Sequence, residues 1–200
     1  REILRSAPKT VELVHEYVRR APLVCVERTM GDNPYFNPHC TLYVSTHRKE
    51  MIRLAYMVGQ TLFPYREGAL GPELYLIYVP EWQEKDRQIL VFPEIGVTYV
   101  LGSDYYGEAK KGFLRMTMWA AKQEGMLGVH AGAKIVKAKD KTGRIRRYSI
   151  ILFGLSATGK TTHACHNHGL LEDGEGQEIV QDDVVFMRPD GSALGPERGF

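Results

Sequence analysis

Apolar positions recur along this chain with two periods, and each predicts an element. Val11, Leu13, Val14 and Val18 have helical spacing, and Pro22 closes that segment. Residues 23–26 form a short apolar run that reads as a strand. Gly31-Asp32-Asn33-Pro34 is turn chemistry. Cys40, Leu42 and Val44 then alternate with Thr41, Tyr43 and Ser45, a strand pattern. Met51, Leu54, Ala55, Val58 and Leu62 return to helical spacing behind the charged group Arg48-Lys49-Glu50. Residues 74–79, 89–92 and 97–101 predict three further strands, and 108–123 a helix.

The second half changes character. Residues 126–133 are small and apolar. Residues 134–139 and 146–153 read as a hairpin around the polar turn Lys139-Asp140-Lys141-Thr142-Gly143. A glycine-bounded loop, a short helix, a Gly-rich surface loop (169–176) and a strand (178–181) follow, ending in Asp182-Asp183. The pattern alone gives a mixed α/β chain, with a boundary expected at Gly125: an α/β domain over 1–125 and a second domain over 126–200.

Composition narrows the class. Hydrophobic residues at 44% and charged residues at 25%, with a net charge of +2, suit a folded globular chain and exclude disorder. The slight basic excess argues against a nucleic-acid partner, and no run of about 18 apolar residues predicts a membrane span. Three widely spaced cysteines, Cys25, Cys40 and Cys165, fit a reducing compartment and a cytoplasmic location rather than a disulfide framework. The chain opens at Arg1, without Met, and stops soon after its phosphate-loop motif, so it is expected to be part of a longer protein.

That motif is Gly154-Leu155-Ser156-Ala157-Thr158-Gly159-Lys160-Thr161, a full match to G-x-x-x-x-G-K-[ST]. Residues 149–153 before it are apolar and β-branched, as a strand should be, and Thr161-Thr162-His163-Ala164 can open a helix. The two glycines let the backbone approach an anion, and the loop N–H groups point at phosphate oxygens. Lys160 adds a point charge, and the Thr161 hydroxyl suits Mg²⁺. A strand ending in Asp182 suits delivery of a carboxylate to that metal; in isolation the pair would read as a solvated strand end. A second group is less distinctive. Lys110-Lys111 in Tyr105-Tyr106-Gly107-Glu108-Ala109-Lys110-Lys111-Gly112 reads blandly as a solvated helix face, and His130 in a small-residue run as a core histidine.

Together and in order, these segments resemble the ATP-dependent phosphoenolpyruvate carboxykinases. The family loop G-L-S-G-T-G-K-T-T is similar to residues 154–162, its Y-x-G-E-x-K-K-G to 105–112, its M-H-C-S-A-N to 129–134, and its D-D pair to Asp182-Asp183. Residues 24–63 are similar as well. The resemblance implies an N-terminal α/β domain with a mixed sheet, followed by the start of a P-loop nucleotide-binding domain. It also implies decarboxylation of oxaloacetate with phosphoryl transfer from ATP, giving phosphoenolpyruvate, CO₂ and ADP.

Roles follow residue by residue. Lys111, His130 and Asp183 would be protein ligands of Mn²⁺. Thr161 would hold the Mg²⁺ of the nucleotide, with Asp182 close by. Residues 154–162, including Leu155, Ala157, Thr158 and Thr162, would cradle the phosphates. Tyr105, Lys110, Lys111 and Ser156 would line the substrate pocket. Lys111, Lys160 and Asp182 would carry the catalysis. A lysine ligates a metal only as the neutral amine, so Lys111 would need a depressed pKa. One amine, one imidazole and one carboxylate suit Mn²⁺ better than Zn²⁺.

Several features depart from the family pattern. Ala157 replaces a glycine, and its methyl group is expected to require negative φ. Val184-Val185-Phe186-Met187 follows the Asp pair in place of an acidic-His-Gly-Trp run. Lys134 stands where the family has Asn. The loops at 139–147 and 171–177 look longer. Arg5-Ser6-Ala7-Pro8-Lys9 is not matched to the family's R-S-P-K segment; Pro8 is expected to begin the first helix. His163, Cys165, His166 and His168 lack the second ligand pair of a zinc site. Tyr75, Tyr78 and Trp82 read as packing residues. Two alternatives stay open on sequence alone: another P-loop kinase acting on a protein or small molecule, and a catalytically silent nucleotide-binding module.

Overall fold

A computed structural model describes residues 2–83, 86–155 and 157–198. The chain divides into two compact units, 1–30 with 34–120, and 31–33 with 121–200.

In the first unit, α1 (Glu2–Val18) buries Ala7, Thr10 and Val14, a stripe at helical spacing. Pro8 lies inside this helix rather than at its start, which corrects the sequence expectation. Its ring sits on the exposed face, so the lost N–H lies outside the packed stripe. β1 (Leu23–Thr29) and β2 (His39–Ser45) pair antiparallel, with Leu23 opposite Ser45. α2 (Met51–Thr61) turns Met51, Leu54, Ala55 and Val58 inward. β3 (Phe63–Pro64), β4 (Glu73–Val79), β5 (Gln88–Phe92) and β6 (Val97–Leu101) complete one mixed sheet in the order β3-β1-β2-β4-β6-β5. β2, β4 and β6 run parallel at its centre. β2 and β6 are buried on both faces, Thr41, Ser45 and Thr98 included, while β4 alternates buried Leu74, Leu76 and Tyr78 with half-buried Tyr75 and Ile77.

Gly96 starts the β4–β6 ladder. It follows a 3₁₀ turn (Pro93–Ile95) at φ 67°, and its carbonyl accepts from the Tyr75 N–H at 2.7 Å. A Cβ there would lie 2.3 Å from the Glu73 carbonyl oxygen. α3 (Tyr106–Gln123) follows β6 and buries Ala109, Phe113, Met116 and Thr117. Gly112 lets α3 press on β4, where a Cβ would come within 2.8 Å of Leu76 Cδ1.

The second unit holds two small sheets. β7 (Leu127–Val129), β8 (Ala131–Lys139), β9 (Ile145–Phe153), α4 (Lys160–Cys165), β10 (Gly176–Gln181), β11 (Val185–Met187) and β12 (Ala193–Leu194) follow in chain order. The sheets are ordered β10-β8-β9 and β12-β11-β7. The hairpin is longer than its pattern predicted, pairing Ala131 with Phe153 through to Lys139 with Ile145. Asp140 closes its turn. Oδ1 accepts from the Thr142 N–H (2.8 Å), the Thr142 hydroxyl (2.6 Å) and the Arg144 N–H (3.1 Å), and Oδ2 from Arg146 Nε (2.9 Å). The run after the Asp pair is apolar because it is core: Val184, Val185 and Phe186 are buried, and Val185 packs with Ala131 and Ala133.

Candidate phosphate and metal site

The loop after β9 is built as its residue types require. Gly159 adopts φ 87° and opens α4. Gly154 faces the Thr158 hydroxyl so closely that a Cβ would lie 2.8 Å from it. That hydroxyl donates to the Leu155 carbonyl at 2.7 Å. Lys160 Nζ donates to the carbonyls of Gly154 and Leu155, each at 2.9 Å, so its cation stands over its own loop. A cleft of about 370 Å³ lies against this turn, lined by Gly154, Thr158, Lys160 and His163. Thr162 is exposed on α4. Ser156 lies outside the described residues.

Ala157 contradicts the expectation of negative φ, adopting φ 63° instead. The left-handed region admits a methyl group at a cost of about 1–2 kcal/mol. The loop carries that cost at Ala157.

Asp182, just past the end of β10, meets the start of α4. The Thr161 hydroxyl donates to Asp182 Oδ2 at 3.1 Å. Asp182 Oδ1 is buried with no hydrogen-bond partner. An orphaned carboxylate oxygen beside a threonine hydroxyl is oxygen chemistry that fits Mg²⁺. Asp183 Oδ1 stands 3.5 Å from His130 Nε2. The Asp183 carbonyl accepts from the Ala131 N–H at 3.1 Å, which fixes the strand after His130 beside the carboxylate. Imidazole nitrogen and carboxylate oxygen at that separation fit one divalent ion. Among the described residues, no three His, Cys, Asp or Glu side chains form a group that could hold a metal ion.

Tyr105, Lys110 and Lys111 belong to the first unit, at the start of α3 and just before it. The Tyr105 N–H donates to Ser103 Oγ at 3.3 Å, and its carbonyl accepts from the Tyr78 hydroxyl at 2.8 Å. Burial pushes the Tyr78 phenol up to about 12, so it stays a donor. The Tyr105 ring rests on Gly107, where a Cβ would come within 2.3 Å of Cε1. Lys110 is half-buried and Lys111 exposed.

Lys134 was read from sequence only as a departure from a pattern. It is 2% exposed, and its Nζ donates to the carbonyls of His163 and His166 (3.1 Å to the latter) and to Gln177 Oε1 (3.2 Å). Desolvation draws its ammonium below the ordinary lysine value. The signal was a lysine inside an otherwise apolar strand. Beside it, the His163 and His168 rings stack at 5.8 Å, and the His168 N–H donates to His166 Nδ1 at 2.8 Å.

A strand, a phosphate loop, a short helix and paired carboxylates define a P-loop unit. Its particular kind is given by likeness. A sequence model of the family described as phosphoenolpyruvate carboxykinase matches residues 5–199, and the chain belongs to that family. Phosphoenolpyruvate carboxykinase (ATP) of Aeropyrum pernix is 35% identical over 184 residues, 91% of this chain and 36% of the relative. The glycosomal phosphoenolpyruvate carboxykinase (ATP) of Trypanosoma cruzi is 37% identical over 87 residues, 44% of this chain and 16% of that protein. The Zea mays phosphoenolpyruvate carboxykinase (ATP) is 35% identical over 72 residues, 36% of this chain and 10% of that protein. The chain thus spans 36% or less of the length of each of these relatives. Among the described residues, no helix is long and apolar enough to cross a membrane.

Proposed function

We propose that the protein to which this chain belongs converts oxaloacetate and ATP to phosphoenolpyruvate, CO₂ and ADP. The observation that carries this is the phosphate loop beside Asp182, with His130 and Asp183 paired 3.5 Å apart in the same unit of a carboxykinase-family chain. The two compact units support reading residues 1–125 as the N-terminal α/β domain and 126–200 as the beginning of the P-loop domain. Free, unpaired cysteines support a cytoplasmic location.

In this reading the loop N–H groups of residues 154–162 and Lys160 hold the phosphates, and Thr161 and Asp182 hold the nucleotide's Mg²⁺. His130 and Asp183 are imidazole and carboxylate ligands of Mn²⁺, and Lys111 is an amine ligand. The two ions supply Lewis-acid neutralisation of charge developing on substrate and phosphate oxygens. Tyr105, Lys110 and Ser156 orient the dicarboxylate. The bond between the leaving carboxylate and its neighbouring carbon breaks, CO₂ departs, and the electron pair forms an enolate. The enolate oxygen attacks the γ-phosphorus in line, and the bond to the β-phosphate oxygen breaks to release ADP. Lys160 moves with the transferring phosphoryl group and balances its charge. The protein's contribution is chiefly position and electrostatics, as phosphoryl transfer requires.

The test is oxaloacetate-dependent phosphoenolpyruvate formation by the full-length protein with ATP and Mn²⁺. Lys111→Ala and His130→Ala should each abolish turnover and weaken Mn²⁺ binding. Unchanged activity and Mn²⁺ affinity in both would leave a P-loop kinase of another kind, and ATP binding without turnover on any acid would leave a silent module.

A further inference from the structure

We propose that Lys134 is a positioning residue for the phosphate loop, holding α4 by its last carbonyls from the strand beneath. The proposal rests on the nucleotide reading above and adds a residue to it. α4 has six residues, too few for a helix to sustain itself. The carbonyls at its end have no partners within the helix and must find them elsewhere. Two side chains from neighbouring strands supply them. Lys134 of β8 donates to the His163 and His166 carbonyls, and Gln177 of β10 donates through Nε2 to the Cys165 carbonyl at 2.7 Å. Lys134 also donates to Gln177 Oε1 at 3.2 Å, so the two act as one clamp.

A buried ammonium is costly unless its donors are matched, and here it meets three acceptors. Its charge also sits at the carbonyl end of the helix, the favourable end for a cation. The facing contact is equally close. Ala164 is fully buried, and a Cβ on Gly132 would lie 3.2 Å from its methyl group. α4 spans only about 9 Å at the usual helical rise, so any drift of its far end moves Lys160 and Thr161 directly.

A merely structural lysine would change stability and leave nucleotide affinity alone. A positioning lysine changes affinity in a chain that remains folded. The experiment uses the full-length protein, with MgATP binding read by calorimetry, Mn²⁺ binding without nucleotide as a second channel, and circular dichroism for the fold. Lys134→Met should lower MgATP affinity about ten-fold or more and leave Mn²⁺ affinity within about two-fold, as loss of a supporting contact does elsewhere. Lys134→Arg should recover part of the loss. Gln177→Leu removes two clamp bonds, the one to the Cys165 carbonyl and the one from Lys134, and should weaken MgATP in the same direction. A folded Lys134→Met protein with wild-type MgATP affinity overturns the proposal. If Lys134→Met does not fold, wild-type affinity in Gln177→Leu overturns it instead. A wild-type protein that binds no MgATP defeats the nucleotide reading and this proposal with it, and that failure is told apart because it needs no variant.

Discussion

Gly96 and Gly68 offer a controlled measurement of what a left-handed glycine is worth when its surroundings differ. Both have nearly the same backbone, φ 67° and φ 70°, and both lie in the first unit. A Cβ on Gly68 meets nothing within 4 Å, whereas one on Gly96 would sit 2.3 Å from the Glu73 carbonyl oxygen. Substitution by Ala costs about 1–2 kcal/mol for the left-handed conformation and returns about 0.4–1 kcal/mol through the stiffer unfolded chain. Gly68→Ala should therefore destabilise by about 0.5–1 kcal/mol. Gly96→Ala adds a displacement of strand backbone, about 1–3 kcal/mol for overpacking, and weakens the Tyr75-to-Gly96 hydrogen bond, about 0.5–1.5 kcal/mol. Its total should reach about 2–5.5 kcal/mol. Urea unfolding followed by tryptophan fluorescence isolates the relevant transition, because both tryptophans, Trp82 and Trp119, belong to the first unit. With a slope of about 2 kcal/mol per molar, the two midpoints should differ by roughly 0.75–2.25 M. Coincident midpoints would refute the reasoning, since the Glu73 contact and the Tyr75 hydrogen bond are what it takes to separate the two positions.

Three other expectations concern the second unit. The Thr142 hydroxyl, then Arg146, holds the Asp140 carboxyl down to about 2, below its usual 3.8. A depressed carboxylate contributes above its unfolded value and loses that contribution as pH falls toward 2. Amide exchange in the 140–144 turn should therefore lose protection between about pH 4 and pH 2 in the wild type. The Asp140→Asn turn should show no such step, and a step of the same size in the variant would sink the assignment. Asp182→Asn should weaken MgATP binding about ten-fold while barely changing ATP binding in chelator, and equal losses in both would remove the metal role. At Ala157, Gly should retain nucleotide affinity and shift stability by less than about 1 kcal/mol, because relief of the left-handed methyl opposes a looser unfolded chain. Ala157→Val places a β-branched residue at positive φ and should reduce MgATP affinity; full affinity there would show that the loop changes conformation freely.

Much of the fold was legible because its signals are local. The helical spacing of Met51, Leu54, Ala55 and Val58 reflects one buried face, and the structure puts those residues there; the alternation at Cys40, Leu42 and Val44 marks a strand, but Thr41 and Ser45 between them are buried too. Pro8 misled because proline is only a local stop signal, and a packed stripe spanning it decided otherwise. Ala157 misled for a related reason: sequence states the residue's preference, while the geometry of loop closure sets its φ. Lys134 could be seen but not understood. Its three acceptors lie far along the chain, at His163, His166 and Gln177, and only the paired strands bring them to it. The phosphate loop was legible as a motif, but the orphaned Asp182 oxygen was not, because burial of a single atom is a tertiary property.

The register of β8 has a consequence for the order of events in folding. Its pairing with β9 begins across a tight turn, Lys139 against Ile145, and such hairpins close in about 1–10 μs. Its pairing with β10 joins Gly176 to Lys137 across the whole loop-and-helix excursion, a closure with a larger entropic cost. Gln177 reaches the end of α4 only once that second pairing exists. The hairpin that leads into the phosphate loop should thus form early, and the loop should take its final shape late. Ligand added during refolding would meet a chain whose sheet is largely paired and whose anion cradle is still closing. Nucleotide should then accelerate the last kinetic phase and leave the first unaltered.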